Sequence, residues 1–81
     1  MEKLEFSQPA KSLKIGEYEH SKSGKRYNVL GVGRNSETLE ELVVYQATYG
    51  KKIIWVRPLE MFLGEVEING TKMPRFKYVE K

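Results

Sequence analysis

Cysteine is absent from the 81-residue chain, which excludes disulfides and thiolate-held zinc and leaves the fold to buried aromatic and β-branched side chains. Histidine occurs once, at position 20, so a histidine-rich metal site is excluded as well. No apolar run approaches the ~20 residues that cross a bilayer. The opening Met1-Glu2-Lys3-Leu4-Glu5-Phe6 alternates charge with apolar residues and lacks a signal-peptide core. The sequence therefore predicts no membrane association and, with its lack of cysteine, a cytoplasmic setting. A phosphate-cradling loop is missing too: Gly31-x-Gly33 lacks a third glycine and no Gly-Lys-Ser/Thr occurs, which rules out P-loop nucleotide hydrolysis. The net charge is only +3, with Lys and Arg interspersed among Glu, so the global field attracts phosphates weakly. No cofactor and no metal ion are expected.

What is present is the composition of one small folded domain, 40% apolar and 31% charged, too short to hold a second core. Residues 1–15 include Ser7-Gln8-Pro9-Ala10-Lys11-Ser12 and read as an extended or frayed arm; residues 16–81 read as a single β domain. Gly16 to His20 and Arg26 to Val32 flank the polar turn Ser21 to Lys25, which predicts a hairpin. Gly31 and Gly33 inside its second strand predict a bulge or sharp bend. Thr38 and Glu41 have the spacing of a helix-start capping box, over a segment long enough for about one turn. Leu42 to Tyr49 is the strongest strand, with Ile53 to Arg57 as its natural partner. Pro58 stops that partner and leads into a helical turn over Leu59 to Phe62. Asn69-Gly70 predicts a two-residue hairpin turn, and Arg75 to Val79 alternates as a closing strand.

Five to six antiparallel strands, glycine bends and one short helical turn predict a mainly β chain folded as a small, strongly bent, SH3-like barrel. An irregular antiparallel sheet capped by the Glu37 to Glu41 turn is the competing architecture.

Gly16-x-Tyr18-x-His20, Ser36-Glu37-Thr38-x-Glu40, Val43-Val44-Tyr45-Gln46, Trp55-Val56-Arg57-Pro58-Leu59-x-Met61-Phe62 and Pro74-Arg75-Phe76 together resemble a small bacterial family, domain of unknown function 1653. The resemblance spans roughly Gly16 to Tyr78. It implies no activity, cofactor or partner. In one place the chain departs from the family pattern, carrying Asn35 where a histidine usually precedes Ser-Glu-Thr, which counts against any two-histidine mechanism.

Strand alternation puts Trp55 and Arg57 on one face and Ile54 and Val56 on the other. With Ile54 and Val56 in the core, Trp55 and Arg57 face outward, where Tyr45, Arg34 and Arg75 can join them; His20 completes the candidate ligand-binding set. Rings stack on planar groups and guanidinium forks grip oxyanions, so such a surface suits a nucleic acid, a nucleotide or a peptide. The competing structural reading makes Trp55 core volume and pairs Arg57 with Glu40 or Glu60. As a catalytic alternative, a small hydrolase would use His20 as base with Ser36 or Glu37, although no nucleophile-elbow glycines surround Ser36 and a packed, hydrogen-bonded histidine is the commoner case. The carboxylates and hydroxyls of Ser36 to Glu41 offer oxygen ligands to a hard cation, but cap a helical turn more naturally. In a third reading the chain is a structural or oligomer-forming subunit that presents the Arg75 to Val79 edge. Sequence leaves the oligomeric state open.

Overall fold

A computed structural model describes residues 5–79; the ends of the two expected segments, residues 1–4 and 80–81, lie outside the described residues. A helical turn α1 (Gln8–Ser12) precedes strands β1 (Gly16–His20), β2 (Arg26–Arg34), β3 (Glu41–Ala47) and β4 (Ile54–Pro58). The chain continues through a second turn α2 (Leu59–Phe62) into β5 (Glu65–Ile68), β6 (Thr71–Pro74) and β7 (Phe76–Tyr78). The mainly β, antiparallel character read from the sequence is what forms. Five strands make one sheet in the order β4-β3-β2-β1-β7, and β5 with β6 make a separate hairpin. Asn69 (φ 51°) and Gly70 (φ 79°) turn that hairpin in the left-handed region, as the mirror-image turn between twisted strands requires.

The sheet does not close into a barrel. Among the described residues its outer strands β4 and β7 each pair on one side only, with β3 and β1. The reason lies in how the core is filled. Directly opposed residues of antiparallel strands share a face, and the register puts Tyr18, Tyr27, Val29, Val43, Tyr45, Ala47 and Phe76 on one side. Leu59 and Phe62 of α2 cover that side, both buried. Phe62 stacks on Phe76 with centroids 4.3 Å apart and planes 5° from parallel, while Tyr18 and Tyr45 approach it at 5.4 and 5.5 Å. An aromatic plug thus seals the concave side, and the two sheet edges need not meet. The expected irregularity in β2 is a bulge: pairing with β3 shifts between Val29 and Gly31, leaving Leu30 as the extra residue, 48% exposed.

Part of the segment read as an extended arm is ordered as α1. Pro9 sits in its first turn, where a missing N–H costs nothing, and the Ser7 hydroxyl accepts from the Ala10 N–H at 3.3 Å. Ser7 is itself held from β3, its N–H and hydroxyl donating to the Glu41 carboxylate at 2.6 and 2.7 Å. Ala10 is thereby pressed into the core. These contacts span more than thirty positions of sequence and leave no local signal apart from the Ser-x-Pro start.

The same clamp explains why Thr38 and Glu41 form no capping box. The loop between β2 and β3 is organised by Asn35, whose side-chain oxygen accepts from the N–H of Glu37 and of Thr38 at 2.8 and 3.2 Å, an Asx turn. Leu39 closes it at φ 65°. The two donors from Ser7, and then the nearby Arg34, hold the Glu41 carboxyl below its ordinary range. A depressed folded-state value means that this clamp contributes fully above the ordinary carboxylate pKa and is lost as pH falls through the lowered one. Acidification should therefore release α1 before the sheet melts. The Ser7 and Ala10 amide resonances would report it, moving toward unstructured positions while Val29 and Val43 stay put; in Glu41→Gln this pH dependence should be gone.

Candidate ligand-binding site

Strand alternation correctly separates Trp55 and Arg57 from Ile54 and Val56, but the assignment of faces is reversed. Tyr45 opposes Trp55 and Val43 opposes Arg57, and Tyr45 and Val43 are core residues. Trp55 and Arg57 therefore lie on the concave, core-bearing side, while Ile54 and Val56 point to the opposite surface, each 55% exposed. Because no described strand continues beyond β4, the Trp55 ring is left 48% exposed at the rim of the core. It neither fills the interior nor stands free of it. A shallow hollow of about 210 Å³ opens beside it, lined by Ala47, Tyr49, Ile53 and Trp55.

Arg57 continues the site inward. Its Nε donates to the Tyr45 hydroxyl at 3.2 Å, and its guanidinium carbon stands 5.8 Å from the centre of the Phe76 ring. His20, paired with Phe76 across β1 and β7, packs edge-on against the same ring at 5.0 Å. Arg75, directly before Phe76, has a buried Nε with no hydrogen-bond partner. Arg57 and His20 thus meet on Phe76, and Arg75 lies close enough for its charge to act on the His20 imidazole. Among the described residues neither Arg57 nor Arg75 lies within ion-pair distance of a carboxylate, and the pairing of Arg57 with Glu40 or Glu60 that the competing reading required does not form.

The electrostatics follow. Partial burial, then the positive charges of Arg57, Arg75 and Lys22, push the His20 imidazole below its ordinary pKa, which favours the neutral ring. Nδ1 faces the turn, 3.1 Å from the Ser23 hydroxyl and 3.3 Å from the Ser23 N–H that donates to it; a neutral ring that accepts here carries its proton on Nε2. Guanidinium groups with no carboxylate opposing them among the described residues have the chemistry to grip an oxyanion, and Phe76 and Tyr45 supply rings beside Arg57.

The remaining candidates go elsewhere. Arg34 donates to the carbonyls of Leu39 and Glu5 at 2.8 and 2.7 Å and stands over the Phe6 ring, so it is spent on the loop and the clamp and does not join Arg57. Ser36 and Glu37 bond each other at 2.9 Å, beyond the far end of β2 from His20. That nine-residue strand separates them by on the order of 25 Å, which removes the hydrolase pairing with His20. Among the described residues no three His, Asp or Glu side chains converge to hold a metal ion. A cleft of about 720 Å³ between α1, α2 and Tyr78 touches neither Arg57 nor Trp55. Sequence reasoning missed Phe76 as the shared platform, although its alternation with Tyr78 in β7 was visible.

The family pattern described as protein of unknown function (DUF1653) matches residues 16–78. The chain belongs to the DUF1653 family. No curated protein matches it. It is similar to the crystal structure of a DUF1653 protein from Bordetella bronchiseptica, with 33% identity and a TM-score of 0.78 over 86% of this chain and 91% of that one. The matched stretch runs from the first residue of β1 to the last of β7, so it holds every strand of this DUF1653 chain together with Trp55, Arg57, Arg75, Phe76 and His20; α1 and its clamp on Glu41 begin outside it. Among the described residues no helix is long and apolar enough to cross a membrane.

Proposed function

We propose that this DUF1653 domain is a non-catalytic binding module, working in the cytoplasm, for an anionic ligand that carries a planar or aromatic portion. Arg57, Arg75 and Nε2–H of His20 hold the oxyanion, and Trp55, with the hollow beside it, takes the flat part. The observation that carries this reading is the meeting of Arg57 and His20 on Phe76, with Arg75 near enough to act on the imidazole and no carboxylate within ion-pair distance of either guanidinium among the described residues. Nucleic acid single strands, nucleotides and acidic peptides all present the required chemistry.

Titration of Trp55 fluorescence and of the backbone amide spectrum with short oligonucleotides, nucleotides and carboxylate-bearing peptides tests the reading. Saturable changes at Trp55, Arg57 and Phe76 are expected with at least one class; a spectrum that stays still at all three across every class rejects it.

A second consequence concerns His20. A bound oxyanion offsets the field of Arg57 and Arg75, so the imidazole pKa should rise toward its ordinary value when ligand is present. By linkage the complex takes up protons, and affinity should strengthen as pH falls from above the bound-state pKa to below the free-state one. The His20 ring-proton shift, followed against pH with and without ligand, measures both values; identical curves would place the ligand away from His20.

A further inference from the structure

The outer edge of β4 is bare among the described residues, and its backbone polarity is fixed by one bond. Ala47 N–H donates to the Ile53 carbonyl at 3.0 Å, so Ile53, Trp55 and Arg57 turn their backbone groups toward β3, while Ile54 and Val56 turn N–H and C=O outward. Along this edge Ile53, Ile54, Trp55 and Val56 are 51%, 55%, 48% and 55% exposed. Sheet edges are ordinarily guarded by lysines, prolines or bulges. None falls within these four positions, and pairing with β3 is regular throughout.

Charge then selects the occupant. Exposed Lys51 and Lys52 precede β4, whereas exposed Glu60 follows it, sharing a hollow with Glu40 and Glu41. The segment before the edge is basic and the one after it acidic, while Arg57 between them lies on the concave side with Val43 and Tyr45. An identical strand laid antiparallel puts each basic end against an acidic one, a self-complementary pattern that closes on itself about a two-fold axis.

We infer that two copies of this chain associate by antiparallel pairing of their β4 edges about an axis at Trp55. Ile54 of each copy exchanges both backbone bonds with Val56 of the other. The two Trp55 residues oppose each other as the non-hydrogen-bonded pair, their Cα atoms about 4.5 Å apart. Pro58, which lacks an N–H, and Lys52, at φ 53°, stop the ladder at its two ends. The two five-stranded sheets become one continuous sheet. Their concave sides meet at the tryptophans, which sets the two Arg57 sites side by side. The inference is independent of whether those sites bind an anion.

Sedimentation velocity of the whole chain over a range from micromolar to millimolar should show a monomer–dimer equilibrium. Hydrogen exchange gives the residue-level reading, since the Trp55 and Arg57 amides are protected by β3 in either state, whereas those of Ile54 and Val56 should become protected only as concentration rises. Charge reversal supplies the partner test. Lys51→Glu/Lys52→Glu and Glu60→Lys should each weaken self-association about tenfold or more, yet a mixture of the two variants is complementary at both ends and should form the mixed dimer at the original strength. Val56→Pro removes only an outward N–H and should abolish pairing, with circular dichroism confirming the fold. A strict monomer at millimolar concentration, or a dimer in which the Ile54 and Val56 amides exchange freely, overturns the inference.

Discussion

Phe62→Ala should bring the chain to the brink of unfolding. Phe62 is 2% exposed, lies flat on Phe76 at 4.3 Å and receives the edges of Tyr18 and Tyr45, so its removal opens a void bounded by four elements. Truncating a buried phenylalanine costs about 3–5 kcal/mol. A domain of this length holds only about 4–12 kcal/mol in total, and no disulfide or second core can absorb the loss. With a urea slope on the order of 1 kcal/mol per molar, the midpoint should fall by roughly 3 M. The exposed substitution Lys72→Ala should move it within the scatter of the measurement. A Phe62→Ala midpoint within 1 M of the parent would mean that α2 does not cap the core.

Arg57→Ala should carry the largest effect on binding. A charged hydrogen bond is worth about 1.5–3 kcal/mol, so affinity for the anionic ligand should fall by roughly 10- to 150-fold. Arg57→Lys keeps the charge but not the planar fork that reaches both Tyr45 and an oxyanion, and should recover only part of the loss. Arg34→Ala is the discriminating control: its partners are Leu39, Glu5 and Phe6, so it should loosen the clamp and leave affinity near that of the parent. Equal losses from Arg34→Ala and Arg57→Ala would show that net charge, rather than this cluster, attracts the ligand.

Much of the strand layout was legible because its signals are local. The Asn69-Gly70 turn, the glycine-marked bulge in β2 and the stop at Pro58 each follow from the backbone preferences of the residues in place, and the alternation of Trp55 with Val56 separates their faces correctly. Which face is inside was not legible. Ile54 and Val56 are more apolar than Arg57, and hydropathy assigns them to the interior; the register with Tyr45 and Val43 assigns the opposite, since both are core residues of the neighbouring strand. An edge strand can expose aliphatic side chains and still carry a half-sheltered tryptophan because it has one neighbour instead of two. Closure of the sheet depended on whether α2 and four aromatic rings would fill the concave side, a three-dimensional fact with no sequence period. The meeting of His20 and Arg57 on Phe76 joins β1, β4 and β7, and such long-range meetings leave no spacing to read.

The clamp between Ser7 and Glu41 bears on what counts as the unit of folding. A fragment beginning at Gly16 keeps every strand and the whole of the family-matched stretch, yet it forfeits the alanine wedge on the core and leaves a carboxylate and Arg34 without their amino-terminal partners. Trimming to the family boundary should therefore weaken the molecule and open a seam beside α2, read as a urea midpoint below that of the whole chain.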